Sequence, residues 1–159
     1  MVAEGGGMQG KLVPALESLL ALWRRRYGAM PIPERPRLGQ RDIEPWALHV
    51  AWIEAGPNDA LFVRRFGIEL IRRFGREATN NQVDELAVDI ATGLRDIIGQ
   101  AITTAAPAAG TASVQLGYQA ARFSELALPL AADGERVKLV LLASYEISVS
   151  PPRSRGASR

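Results

Sequence analysis

Apolar residues recur along this chain in two rhythms, and the change of rhythm marks its elements. Leu12, Leu16, Leu19, Leu20, Trp23 and Tyr27 follow one another at helical spacing, the stripe of an amphipathic helix that begins near Lys11 and ends at Gly28. Pro14 fits near its start, where a missing N–H costs little. Pro31, Pro33 and Pro36 then impose an extended connector. Asp42 is placed to cap a short turn through Pro45 and Trp46. Val50–Glu54 and "ALFVRRFG" (60–67) read as two strands joined by the "GPND" turn. Ile68, Ile71 and Phe74 share one face of a short helix closed by Gly75. The longest helix is predicted from Val83 to about Thr104, with Leu86, Ile90, Leu94, Ile97, Ile98 and Ala101 on one stripe. Period two then takes over in three strands, Ala112–Gly117, Arg122–Ala131 and Arg136–Ile147.

The last two strands form the plainest feature, "LPLAADGERVKLVLLASYEI". A two-residue turn at Asp133-Gly134 predicts the pairs Leu130–Val137, Leu128–Leu139 and Leu126–Leu141 on one face, expected to be the core. The other face, with Pro129–Lys138, Ala127–Val140 and Glu125–Leu142, is only half apolar. The Leu16, Leu20 and Trp23 stripe is the candidate to cover part of it, or to pair with a second copy of the chain. Pro129 has no N–H to give on the side away from its hairpin partner, so the preceding strand is expected to pair only with Arg122–Leu128.

Composition narrows the chemistry. The 159 residues suit one domain (11–148, with the N-terminal helix over 11–27), preceded by a glycine-rich lead (1–10) and followed by a basic tail (149–159), both expected to be flexible. Hydrophobic residues make up 47% and charged residues 23%, the balance of a folding chain. No apolar run approaches the ~20 residues of a membrane span, and the N-terminus lacks the order of a secretion signal; the expectation is a cytoplasmic protein. With no cysteine and His49 as the one histidine, thiolate and multi-histidine metal sites are excluded. The arginine pairs and runs, Arg72 with Arg73 among them, read as solvated helix ends and strand faces.

The sequence resembles the short, stand-alone bacterial PAS domains. The likeness lies in "LLALWRRRYGAMPIPERPRLGQRDIEPWAL", in "FVRRFGIELIRRFGREATN" and in the "LPLAADGERVKLVLLA" hairpin, and spans roughly residues 12 to 147. It departs at Thr79-Asn80, where the family has threonine-glycine, and in "TASVQLGYQAARFS". The resemblance implies an α+β fold: a five-stranded antiparallel sheet with helices on one face and an N-terminal capping helix. It also implies a signalling or regulatory module that contacts a protein partner, or itself as a homodimer through Leu16, Leu20 and Trp23, or that holds a small molecule between sheet and helices.

A pocket of that kind would be lined by Trp52, Phe62, Phe66, Ile90, Leu94, Val114, Leu128 and Leu139, which otherwise form plain core. No cofactor is expected: His49 is poorly placed as a haem ligand, and flavin photochemistry needs a cysteine. The alternative is a nucleic-acid-associated regulator using "WRRRYG" and the basic tail. Against it, Trp23 and Tyr27 fall on the apolar stripe and the net charge is only +2. Catalysis finds no support: Asp84 with Glu85, and Asp42 with Glu44, sit where helix starts favour acids, and no serine lies on a strained elbow.

Overall fold

The computed structural model describes residues 12–147; the glycine-rich lead and the basic tail lie outside the described residues. Its frame is one antiparallel sheet of β1 (Val50–Ala55), β2 (Leu61–Phe66), β3 (Ala108–Leu116), β4 (Gln119–Asp133) and β5 (Arg136–Ile147), in the order β2-β1-β5-β4-β3. The helices are α1 (Pro14–Tyr27), α2 (Gln40–Ile43), α3 (Ile71–Phe74) and α4 (Val88–Thr104), with 3-10 turns between them. This is the predicted α+β class. Among the described residues, no helix is long and apolar enough to cross a membrane.

Each face of the sheet has its own cover. On one, Ala91, Leu94, Ile97, Ile98 and Ala101 of α4 pack on Ala51, Ile53, Ala127, Val140 and Leu142. On the other, Leu16, Leu19, Leu20 and Trp23 of α1 pack on Val50, Leu126, Leu128, Leu130, Leu141 and Ala143. The expected assignment of the hairpin faces is therefore reversed. The leucine-rich face lies under α1, and the half-apolar face is the bed of the longest helix. The reason is size: alanines at 51, 108 and 127 let α4 approach closely, whereas the leucines interlock with the large side chains of α1. The stripe of Leu16, Leu20 and Trp23 is spent on the chain's own sheet.

The hairpin turn differs by one position. Gly134 and Glu135 form it, with Asp133 paired to Arg136, and Gly134 alone takes a positive φ of 67°. That places glycine first, as a II′ turn requires, rather than second as in the expected Asp-Gly I′ turn. Bulges between Pro129 and Ala132 adjust the strands, and Leu128 meets Leu141 instead of Leu139. The shift is by two residues, so Leu126, Leu128, Leu139 and Leu141 keep their common face, whereas Val137, beyond the bulges, turns to the α4 core.

Pro129 acts as expected: β3 pairs with β4 from Gln119 only as far as Ala127. Beyond it, the exposed edge of β4 is closed by α1 and the connector. Trp23 donates its indole N–H to the Pro129 carbonyl (2.8 Å), Tyr27 its hydroxyl to Leu130 (2.8 Å), and Ala132 its N–H to Pro33 (2.8 Å). Three other boundaries move for local reasons. Asp42 is not the cap itself but accepts from the Gly39 N–H (2.9 Å) one turn earlier. The longest helix starts at Val88 because Glu85 folds back to the Gln82 N–H (3.0 Å) and holds Val83–Glu85 in a 3-10 turn. β3 begins at Ala108, taking in residues read as a helix breaker, because Ala108 and Ala109 are buried, in the two cores on opposite faces of the sheet.

Two substitutions test this packing. Leu20→Ala is expected to lower unfolding free energy by about 2–5 kcal/mol through the cavity it opens. Trp23→Phe leaves the Pro129 carbonyl buried and unpaired, at about 1–3 kcal/mol. Urea titration followed by circular dichroism reads both; a loss near zero for either would show that α1 does not pack here.

Candidate functional site

Among the described residues, one buried charge lies on the sheet face under α4. Glu125, in the middle of β4, projects into it, opposite Ser144 of β5 and Gly110 of β3. A lone carboxylate there would lose its hydration without recompense. Arg73 answers it. The guanidinium donates from Nε to Glu125 Oε2 (2.5 Å) and from Nη2 to Oε1 (3.3 Å), and Ser144 Oγ donates to Oε2 (2.9 Å). Both charged side chains are nearly sealed, at 2% and 3% exposure.

Local sequence explains the placement. Phe74 is buried edge-on against Phe66, with ring centroids 5.0 Å apart, and this seats α3 on the sheet and turns its neighbour Arg73 inward. Gly75 ends α3 in the left-handed region. Gly93 of α4 makes room: a Cβ there would stand 3.3 Å from Arg73 Nη2. The adjacent Arg72 points outward and forms a two-bond pair with Glu146 at 2.7 and 3.0 Å, which holds the Glu146 carboxyl below its ordinary range. Two consecutive arginines thus tie one short helix to two strands.

An open crevice of about 390 Å³ runs between α4 and β3, with Arg73 and Glu125 among its lining residues. Asp89, Gly93, Asp96 and Gln100 of α4 form one wall, and Ala109–Ser113 of β3 the other. Chemically the cluster is balanced: one cation, one anion and one hydroxyl are committed to one another. Ser144 faces a carboxylate already engaged by Arg73, and no imidazole lies beside it. His49 instead stacks on Tyr145, with centroids 4.0 Å apart, and burial lowers its pKa against a smaller opposing effect of Glu69. Among the described residues, no group of three or more histidine, cysteine, aspartate or glutamate side chains is placed to hold a metal ion.

The eight residues expected to line a pocket do not surround one cavity. Trp52, Leu128 and Leu139 lie on the α1 face. Phe66, Ile90 and Leu94 belong to the opposite core, and Val114 packs with Ala121, Phe123 and Ile90 in a small cluster beside it. Phe62 is half-buried beneath the Arg64 guanidinium, 4.9 Å from its ring centre. Trp52 and Phe66 do share a separate open crevice of about 360 Å³ with Arg64 and Arg65. Trp23 and Tyr27 are buried, so neither ring is offered for stacking on bases.

Arg73 and Glu125 were missed by reading arginine pairs as solvated helix ends. A signal was present: Glu125 is the one charge between Phe123 and Ala132, at a position whose parity matches Ala127, and such a residue needs a buried cation. No protein-family model matches the chain, and comparison with curated proteins and with solved structures gives no match.

The energetics of the pair are open to a direct check. Arg73→Met leaves Glu125 buried and unanswered and is expected to cost about 3–5 kcal/mol, whereas Arg73→Met with Glu125→Met recovers most of that loss. Urea unfolding of both variants reads the difference; a double variant as unstable as the single one would show that the pair is not the unit described.

Proposed function

We propose that this protein is a non-catalytic regulatory module of the PAS type, acting by contact with a protein partner, with a small ligand reaching it at the crevice between α4 and β3. The observation that carries this reading is the Arg73–Glu125–Ser144 cluster. It sits where helices meet sheet, borders a crevice open to solvent, and has each of its groups occupied by another. Such a cluster is suited to report a change in packing rather than to make bonds. The strand order and the two-sided cover of the sheet support the same reading.

The physics of a signal follows from the cost of separating the charges. Releasing α3 from the sheet exposes Arg73 and Glu125 to a penalty of several kcal/mol unless a new partner answers them. A ligand carrying both an acceptor for Arg73 and a donor for Glu125 supplies that answer. It shifts the equilibrium only by its differential affinity for the released state, so a change from 1:99 to 99:1 takes about 5.5 kcal/mol.

The test is affinity capture of partners from the native cell with the full chain and with Gly93→Leu, which fills the crevice beside Arg73. Native mass spectrometry of the captured chain reads bound small molecules. Partners held by the parent chain and altered by Gly93→Leu are the expected result. Absence of any partner, or turnover of a captured small molecule, would overturn the proposal.

A further inference from the structure

The sheet has several margins beyond its strand pairs, and two of them are closed. At the β2 edge, Asn80 donates to the Val63 carbonyl (2.7 Å), and Val63 donates to Asn81 (2.9 Å). The edge of β4 beyond Ala127 is closed by Trp23, Tyr27 and Pro33. β3 is different. It is outermost in the sheet, nine residues long, and no backbone hydrogen bond joins its outer edge to any other described segment. Its sequence, "AAGTASVQL", holds no lysine, arginine or proline, the residues by which edge strands are usually kept from pairing.

The ground beside this edge is acidic. Asp89, Gly93, Asp96 and Gln100 recur at helical spacing along the flank of α4 that walls the crevice. Neither Asp89 nor Asp96 has a cationic partner among the described residues, whereas Asp84 on the preceding turn is paired with Arg95. We propose that the β3 edge is a docking site for an extended, basic segment of a partner protein, which adds as a sixth strand. The inference rests on the reading of the chain as a contact module and names its contact surface.

Strand addition satisfies the unpaired N–H and C=O groups of β3 and sets the side chains of the incoming segment alternately on two sides. Those on the α4 side meet Asp89 and Asp96, which lie ~10 Å apart along the helix, a span that flexible lysine or arginine side chains at alternate strand positions cover. Those on the other side lie beside the exposed Thr111, Ser113 and Gln115, where small polar residues fit. Charge decides against a second copy: β3 paired with itself would bring two sets of Asp89 and Asp96 to one seam.

The test uses the full chain and a ten-residue peptide of alternating arginine and threonine, with fluorescence anisotropy as readout and hydrogen exchange of those amides in 109–115 that face away from β4. Binding with new protection of these amides is expected. Backbone N-methylation of the peptide at alternate residues, which keeps its charge, should weaken binding roughly tenfold. Asp96→Lys should weaken it by at least a comparable factor at low salt. Equal binding of the methylated peptide, no effect of Asp96→Lys, or no binding would each overturn the proposal. So would protection of these outward-facing amides in the free chain, whether in a dimer or in a monomer whose own Arg153 and Arg155, alternating in sequence, fill the edge. If the peptide fails while partners are still captured, the docking surface falls and the contact-module reading stands.

Discussion

A carboxylate placed in the middle of an apolar sheet face obliges the rest of the structure to bring it a cation. Glu125 is that carboxylate and Arg73 that cation, and many local features of this fold serve their meeting. Phe74 seats the helix that carries Arg73, Gly93 thins the helix above it, and Gly110 and Ser144 keep the strands beside Glu125 small. Burial makes the pair costly to break and weakly stabilising to keep, since desolvation offsets most of the attraction. What it contributes is definition: α3 has one place to sit.

The two faces of the sheet divide the labour. The α1 face is a plain leucine core whose polar contacts, from Trp23 and Tyr27, serve to close a strand edge. The α4 face carries the charge cluster, the crevice and the free edge of β3. An event at the crevice therefore touches α3, α4 and β3 together, while α1 stays clamped to the far side.

Much of the fold was legible because it rests on periodicity. The α1 stripe, the β1–β2 hairpin, the β4–β5 hairpin and the limit that Pro129 sets on β3 all follow from local pattern. The face of the hairpin did not, because alternation gives parity but not which helix lies on which side; that choice depends on the fit between alanines and a closely packed helix. The turn moved by one residue, and Gly134 holds the first position of a II′ turn instead of the second of I′, two positions that glycine suits equally. The site was the least legible part. An arginine beside another arginine looks solvated, and only the distant Glu125, 52 positions away, shows that Arg73 is not.

The central claim is that Arg73 is held by Glu125 beneath the helices, and nuclear magnetic resonance of arginine side chains tests it most directly. The account predicts one arginine Nε–H protected from exchange with water well beyond the others, assigned to Arg73, and lost in Glu125→Gln while the remaining spectrum stays that of a folded chain. An Arg73 Nε–H exchanging as fast as those of exposed arginines such as Arg64, or unchanged by Glu125→Gln, would contradict it.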